Sequence, residues 1–254
     1  MFVSPKKSLG QHFLIDRNIA EKIVSSLPAT PARILEIGPG TGILTKYILE
    51  NPAFEPMFIE TDREAVEYLN SVFPGIGDKL VHDDFLKVDL RDMFHDSYQI
   101  VGNLPYNISS QIFFRMLDDR DRLISAVVMI QKEVAERIRS GPGSKVYGIL
   151  SVLLQTWFDV EYLFTVSENV FKPRPRVKSA VIRLSRNTST DIGCDPGFYF
   201  RVVKAAFNQR RKTLRNALKS IIADKDTSGI NQFLGQRAEQ LSVEEFIELA
   251  CYLE

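Results

Sequence analysis

Ile34-Leu35-Glu36-Ile37-Gly38-Pro39-Gly40-Thr41-Gly42 is the stretch that decides the fold. An apolar run ends in three glycines at alternate positions, and Thr41 to Glu50 then returns to helical spacing. A strand that passes into a helix through bare backbone lets a ligand approach the main chain closely. The dinucleotide fingerprint G-x-G-x-x-G would need a glycine at position 43, and Ile43 stands there, which disfavours pyrophosphate binding.

The same strand-to-helix alternation continues on the C-terminal side. Pro56 to Glu60, Lys79 to His82, Tyr98 to Gly102 and Ile124 to Ile130 read as strands, like Arg33 to Ile37 before them. Asp62 to Phe73, Ile108 to Leu117 and Gln131 to Ser140 have helical spacing, with Asp62 placed to cap the first. A βα repeat of this kind predicts a parallel sheet. Val177 to Leu184, after the Pro-punctuated stretch Phe171 to Pro175, alternates as a closing strand should. The Asn-, Ser-, Thr- and Gly-containing segment Asn187 to Gly197 reads as a linker. Beyond it Phe200, Val203, Ala206 and Phe207 share a helical face, and Ser242 with Glu245 forms a capping box. The expectation is an α/β domain over residues 1–187, with a mostly parallel sheet, and a small all-helical domain over 188–254.

Composition bounds the rest. With 254 residues, 44% hydrophobic and 25% charged, the chain matches an ordinary globular protein. Its longest apolar stretch, Ala126 to Ile130, falls far short of the roughly 20 residues a bilayer-spanning helix needs. Met1 to Gly10 shows no apolar core of a secretory signal, and Cys194 and Cys251 form no metal or disulfide framework, so a cytoplasmic monomer is expected. His12, His82 and His95 lack metal-ligand spacing. Net charge is zero, yet Asn169 to Ala223 carries 13 Lys/Arg and only two acids, Asp191 and Asp195. Of totals of 32 and 32, that leaves 19 basic and 30 acidic residues elsewhere. Such segregation fits a protein whose basic face meets phosphates.

Glu60 ends the second strand about 20 residues after the glycines, where an acid can accept both ribose hydroxyls of an adenosine group. Asp84, in Val81-His82-Asp83-Asp84-Phe85-Leu86, could accept from an adenine amine. Asp83 competes for that role, and either could simply cap the segment that follows. Asn103-Leu104-Pro105-Tyr106 follows the fourth strand, at the carboxyl edge where such sheets bind ligands. An exocyclic adenine amine is a poor nucleophile because its lone pair is delocalised into the ring. The Asn103 side-chain oxygen and the Leu104 carbonyl can each accept an amine hydrogen and localise that pair. Pro105 stiffens the turn, and Tyr106 offers a face on which the target base can stack. The bland alternative is a strand-exit turn with Tyr106 in the core.

The Glu-x-Gly-x-Gly-x-Gly spacing resembles the first motif of the Rossmann-like methyltransferases. The likeness implies S-adenosyl-L-methionine as cofactor, with Gly38 in the loop along its amino-acid portion and Asn103 at its methyl end. From Ser8 to about Leu218 the chain resembles the ribosomal RNA adenine N6-dimethyltransferases. Ser8-Leu9-Gly10-Gln11-His12-Phe13-Leu14 is similar to their N-terminal motif, which covers the cofactor and places His12 and Leu14 among its contacts; many members carry Asn at position 12. Phe171-Lys172-Pro173-Arg174-Pro175-Arg176-Val177-Lys178-Ser179 is similar to their F-x-P-x-P-x-V-x-S segment near the target base. Phe171 is then either a second stacking wall or a hydrophobic plug before the closing strand. Gln209-Arg210-Arg211-Lys212-Thr213-Leu214-Arg215-Asn216 resembles their C-terminal signature, with Arg210, Arg211, Lys212 and Arg215 suited to phosphate contacts.

The implied activity is dimethylation of two adjacent adenosines in a 3′-terminal hairpin loop of small-subunit (16S) rRNA during ribosome assembly. Large-subunit (23S) rRNA methyltransferases of the macrolide-resistance type share most of these motifs. DNA adenine methyltransferases share the catalytic tetrapeptide, but no separate DNA-recognition domain is readable here. A noncatalytic RNA-binding assembly factor is the alternative of a different class.

Overall fold

A computed structural model of the chain describes residues 3–188 and 191–254. Ser189 and Thr190 of the expected linker, and Met1 and Phe2 of the stretch read for a leader, lie outside the described residues. Seven strands form one sheet: β1 Arg33–Ile37, β2 Glu55–Glu60, β3 Leu80–His82, β4 Tyr98–Asn103, β5 Leu123–Gln131, β6 Phe158–Val166 and β7 Ser179–Arg186. Their order is β3-β2-β1-β4-β5-β7-β6, parallel from β3 through β5, with β7 antiparallel to β5. The strand order therefore reverses between β1 and β4, which pair Ile34 with Gln99 and Glu36 with Val101. A crevice opens at such a switch point, outside the carboxyl ends of the strands.

The central strands are buried on both faces, as parallel strands covered by helices must be. Ile34 to Ile37 and Ala126 to Ile130 are all buried, the second an unbroken apolar run and the first apolar except for Glu36. The helix after β1 spans Ile43–Glu50 rather than starting at Thr41. Gly40 and Gly42 take left-handed φ values of 56° and 77°, and the Gly42 N–H closes a turn onto the Pro39 carbonyl at 2.8 Å. The next helix, Arg63–Val72, is capped as expected, its Glu64 N–H donating to Asp62 Oδ1 at 3.0 Å. A separate two-stranded ribbon pairs Phe13–Leu14 with Phe171–Lys172, Leu14 facing Phe171.

By contacts the chain divides into Met1–Ala135 with Glu161–Arg186, and Glu136–Val160 with Asn187–Glu254. The cut after Arg186 falls one residue from the boundary the sequence suggests, but residues 136–160 group with the C-terminal unit, where a single boundary would leave them with the sheet. Their helix Ile149–Trp157 is buried nearly all round, Ser151 and Thr156 included, and has no exposed face to mark it as a surface helix. Within this second unit Trp157 packs edge-on against Tyr199 and Phe200, and Thr156 hydrogen-bonds the Tyr199 hydroxyl at 2.9 Å. From Pro196 onward its regular elements are helical, and the Ser242–Glu245 capping box forms on the helix Val243–Leu253. No helix among the described residues is long and apolar enough to cross a membrane.

Candidate active site

The carboxyl ends of β1, β2 and β4, with the N-terminal segment Ser8–Phe13, enclose a cavity of about 360 Å³. That is within the range of small-molecule sites, and its lining includes Gly38, Gly40, Glu60, Asp83, Asp84, Asn103, Leu104, Pro105, Tyr106 and His12. One pocket thus gathers both expected motifs, although more than 60 residues separate the glycines from the tetrapeptide.

One end of the cavity is made largely of backbone. Glu60, almost fully buried, accepts the Gly40 N–H on Oε2 and the Asp62 N–H on Oε1, each at 2.9 Å. Burial pushes its carboxyl above the usual range, and these main-chain donors pull against that. Each oxygen has spent one lone pair, and each keeps capacity for one hydroxyl of a vicinal pair. A Cβ on Gly40 would come within 2.9 Å of the Phe13 ring, so the glycine's bareness is what lets the N-terminal segment close down here. Glu36 of the glycine motif does not line the cavity: it is buried, and accepts the Thr45 hydroxyl at 2.7 Å. Asp84 and Asp83 both line the cavity. Asp84 also caps the following turn through the Leu86 N–H at 3.0 Å, while Asp83 accepts the Asp84 N–H at 2.6 Å.

The N-terminal segment is held down by Asp62, a partner the sequence suggests only as a helix cap. Its carboxylate receives Lys6 Nζ and, at 3.1 Å, Gln11 Nε2. Burial alone would raise the Asp62 carboxyl, but the Lys6 and Gln11 hydrogen bonds hold it below its ordinary value.

The other end is made of side chains. Asn103 Nδ2 donates to the His12 carbonyl at 2.8 Å, which fixes the amide orientation. No hydrogen bond from the described residues engages Asn103 Oδ1 or the Leu104 carbonyl, so two acceptors remain open. The Tyr106 hydroxyl meets the Ser179 Oγ at 2.5 Å, and its ring stacks on His12 with centroids 5.4 Å apart. His12 Nδ1 donates to the Pro173 carbonyl at 2.8 Å, which puts the ring proton on Nδ1. His12, expected among the cofactor contacts, therefore joins Asn103 and Tyr106 of the tetrapeptide. Ser179 stands inside the F-x-P-x-P-x-V-x-S segment, but nothing in the spacing signals its bond to a tyrosine 73 residues away.

Leu14 and Phe171 are not among the lining residues. At 2% and 4% exposure they pair across the small ribbon and join the hydrophobic core with Ile23, Val127 and Val181. Of the two roles open to Phe171, the plug is the one this conformation displays. In the second unit Arg211, Lys212 and Arg215 are exposed. Arg210 is more deeply engaged, donating to the Ser144 carbonyl at 3.3 Å and lying 3.7 Å from Glu239.

A profile of the family described as ribosomal RNA adenine dimethylase matches residues 3–254. The chain is 53% identical, over 253 residues, to the ribosomal RNA small subunit methyltransferase A of Cytophaga hutchinsonii, covering 99% of this chain and 98% of that protein. Its similarity to the protein of the same name from Flavobacterium johnsoniae is 51% over 255 residues, covering 99% and 97%. Among solved structures, a dimethyladenosine transferase from Plasmodium falciparum superposes with a TM-score of 0.76 at 22% identity, over 94% of this chain and 96% of that one. A 23S rRNA methyltransferase superposes at 0.67 and 23% identity, over 95% and 99%. At these identities the two structures speak for the fold alone.

Proposed function

Because this chain belongs to the ribosomal RNA adenine dimethylase family, we propose that it dimethylates the exocyclic amines of two adjacent adenosines in a 3′-terminal hairpin loop of small-subunit rRNA. S-adenosylmethionine, when bound, supplies an electrophilic methyl group on a sulfonium. The cavity suits it: Glu60 retains one acceptor site per oxygen for a ribose diol, Gly38 and Gly40 offer bare main chain, and Asp84 offers a carboxylate to an adenine amine.

The observation that carries the reading is the open Asn103 Oδ1, aimed by the bond from its own Nδ2 to His12 and standing beside the Leu104 carbonyl. Together these acceptors take up both hydrogens of a target amine, which pulls the nitrogen toward a tetrahedral form with its lone pair directed outward. A singly methylated amine still has one hydrogen, so one acceptor stays engaged for the second transfer. Tyr106, tethered by Ser179, supplies the stacking face for a base that has left its own stack. Arg211, Lys212 and Arg215, exposed on the helical unit, supply phosphate contacts.

The test is incubation with labelled S-adenosylmethionine and, separately, unmethylated small ribosomal subunits, large-subunit RNA and DNA, followed by nucleoside analysis. Dimethyladenosine confined to the small subunit is the expected result. Label in large-subunit RNA would move the reading to the macrolide-resistance type, and cofactor binding without transfer to any substrate would favour the assembly-factor alternative.

A further inference from the structure

We propose that the loop from Lys172 to Lys178 is a second phosphate-binding surface, a basic rim on the sheet-bearing unit that grips the RNA backbone on either side of the target adenosine. The inference rests on the RNA-methylating function given above and adds to it a site separate from Arg211, Lys212 and Arg215.

The stretch Phe171 to Ser179 contains four cations, Lys172, Arg174, Arg176 and Lys178, and no acid. Its burial has a pattern: Phe171, Pro175 and Ser179 are buried, and every cation between these three anchors is exposed. Arg174 is paired with Glu168 at 2.6 Å. Lys172, Arg176 and Lys178 make no ion pair within 4 Å of any described residue; Lys178 acts on Glu168 only at longer range, helping Arg174 hold that carboxyl below its usual value, so three cationic groups keep their donors for a polyanion.

A solvated basic loop would show the same charges, but its backbone would not be tied to the reacting centre. Here Pro173 accepts from the His12 ring at 2.8 Å, and Ser179 meets the Tyr106 hydroxyl at 2.5 Å. Two further ties hold the loop: the Phe171–Leu14 ribbon pair, and the Lys132 N–H donating to the Lys178 carbonyl at 3.0 Å. The cations thus sit on a loop fastened to the two rings at the base-binding end. A nucleotide stacked on Tyr106 carries a phosphate on each side of its sugar, and those phosphates have to pass the rim. Contacts of this kind position the RNA without reading its sequence.

The experiment compares the wild type with a Lys172→Gln/Arg176→Gln/Lys178→Gln variant and with a charge-keeping Lys172→Arg/Arg176→Lys/Lys178→Arg variant. Binding to unmethylated small ribosomal subunits is measured by cosedimentation across monovalent salt at fixed magnesium. Cofactor affinity is measured by calorimetry, and folding by thermal melting. Neutralisation should weaken binding at least about tenfold near 0.1 M salt and lower the slope of log K against log salt by about 2, since each phosphate contact contributes about 0.7–0.9. The charge-keeping variant should restore both, with cofactor affinity and melting unchanged throughout. An unaltered slope in the neutralised protein, or equal loss in the charge-keeping one, overturns the rim. A wild type that methylates no RNA overturns instead the function on which the rim rests.

Discussion

The two ends of the cavity are built from different materials. The end proposed for the cofactor is lined largely by main chain: the left-handed Gly38 and Gly40 of the loop after β1, and beside them the Glu60 carboxylate that accepts the Gly40 N–H. The end proposed for the target base is side chain: Asn103, Tyr106, His12 and Ser179, from segments spread over more than 160 residues and joined by single hydrogen bonds and one ring stack. Backbone determines where a ligand can lie, and its demands appear in sequence as glycine. Side chains determine what reacts, and the partners that position them appear only once the chain has folded. The two ends should therefore fail separately.

Asn103→Ala should do the greatest damage. It removes an acceptor needed in the transition state, so kcat should fall by about 10²–10³-fold or more, as for removal of an oxyanion-hole donor. Cofactor affinity, measured by calorimetry, should change less than about threefold. Transfer that persists in this variant would show that Asn103 is not the amine acceptor and would erase the proposed division.

Gly40→Ala should act at the other end and less severely. The new Cβ would meet the Phe13 ring at 2.9 Å from a backbone φ of 56°, which costs an L-residue about 1–2 kcal/mol. Cofactor Kd should rise about tenfold or more, while kcat at saturating cofactor stays within about threefold. A kcat that falls with an unchanged Kd would mean that the glycine loop serves the chemistry rather than the cofactor.

The same contrast explains what the sequence made legible. The central strands β1, β4 and β5 were readable because burial on both faces leaves mostly apolar runs, and the glycine loop because its φ values exclude other residues. Asn-Leu-Pro-Tyr was readable as chemistry because no fold requirement calls for that combination at a strand end. The helix Ile149–Trp157 and strand β6 were not: one is buried nearly all round, and the other is half-exposed without clean alternation. His12, expected among the cofactor contacts, lines the cavity, but its links to Tyr106, Pro173 and Asn103 were not legible. The bonds that Lys6, Gln11 and Ser179 make gave no signal, because one long-range hydrogen bond leaves no period in the chain.

Glu36 gives the smallest effect and refines the picture of the cofactor end. It belongs to the glycine motif by spacing, but it is a strut under the loop rather than a ligand contact. Burial pushes its carboxyl up to about 8, opposed by the Thr45 hydroxyl and assisted by the nearby Glu60. Between an ordinary carboxylate value near 4.5 and about 8, the unfolded chain has lost this proton and the folded chain retains it. Stability therefore falls as pH rises through that window, by at most about 1.4 kcal/mol per pH unit for one proton. Glu36→Gln keeps a neutral group beside Thr45 and removes the titration, so its melting temperature should decline less from pH 5 to pH 8 than that of the wild type. The slope should flatten without vanishing, because burial pushes Glu60 in the same direction. Cofactor affinity should remain within about twofold. A Kd that rises tenfold would make Glu36 part of the binding surface, and the cofactor end would then depend on side-chain chemistry as the base end does.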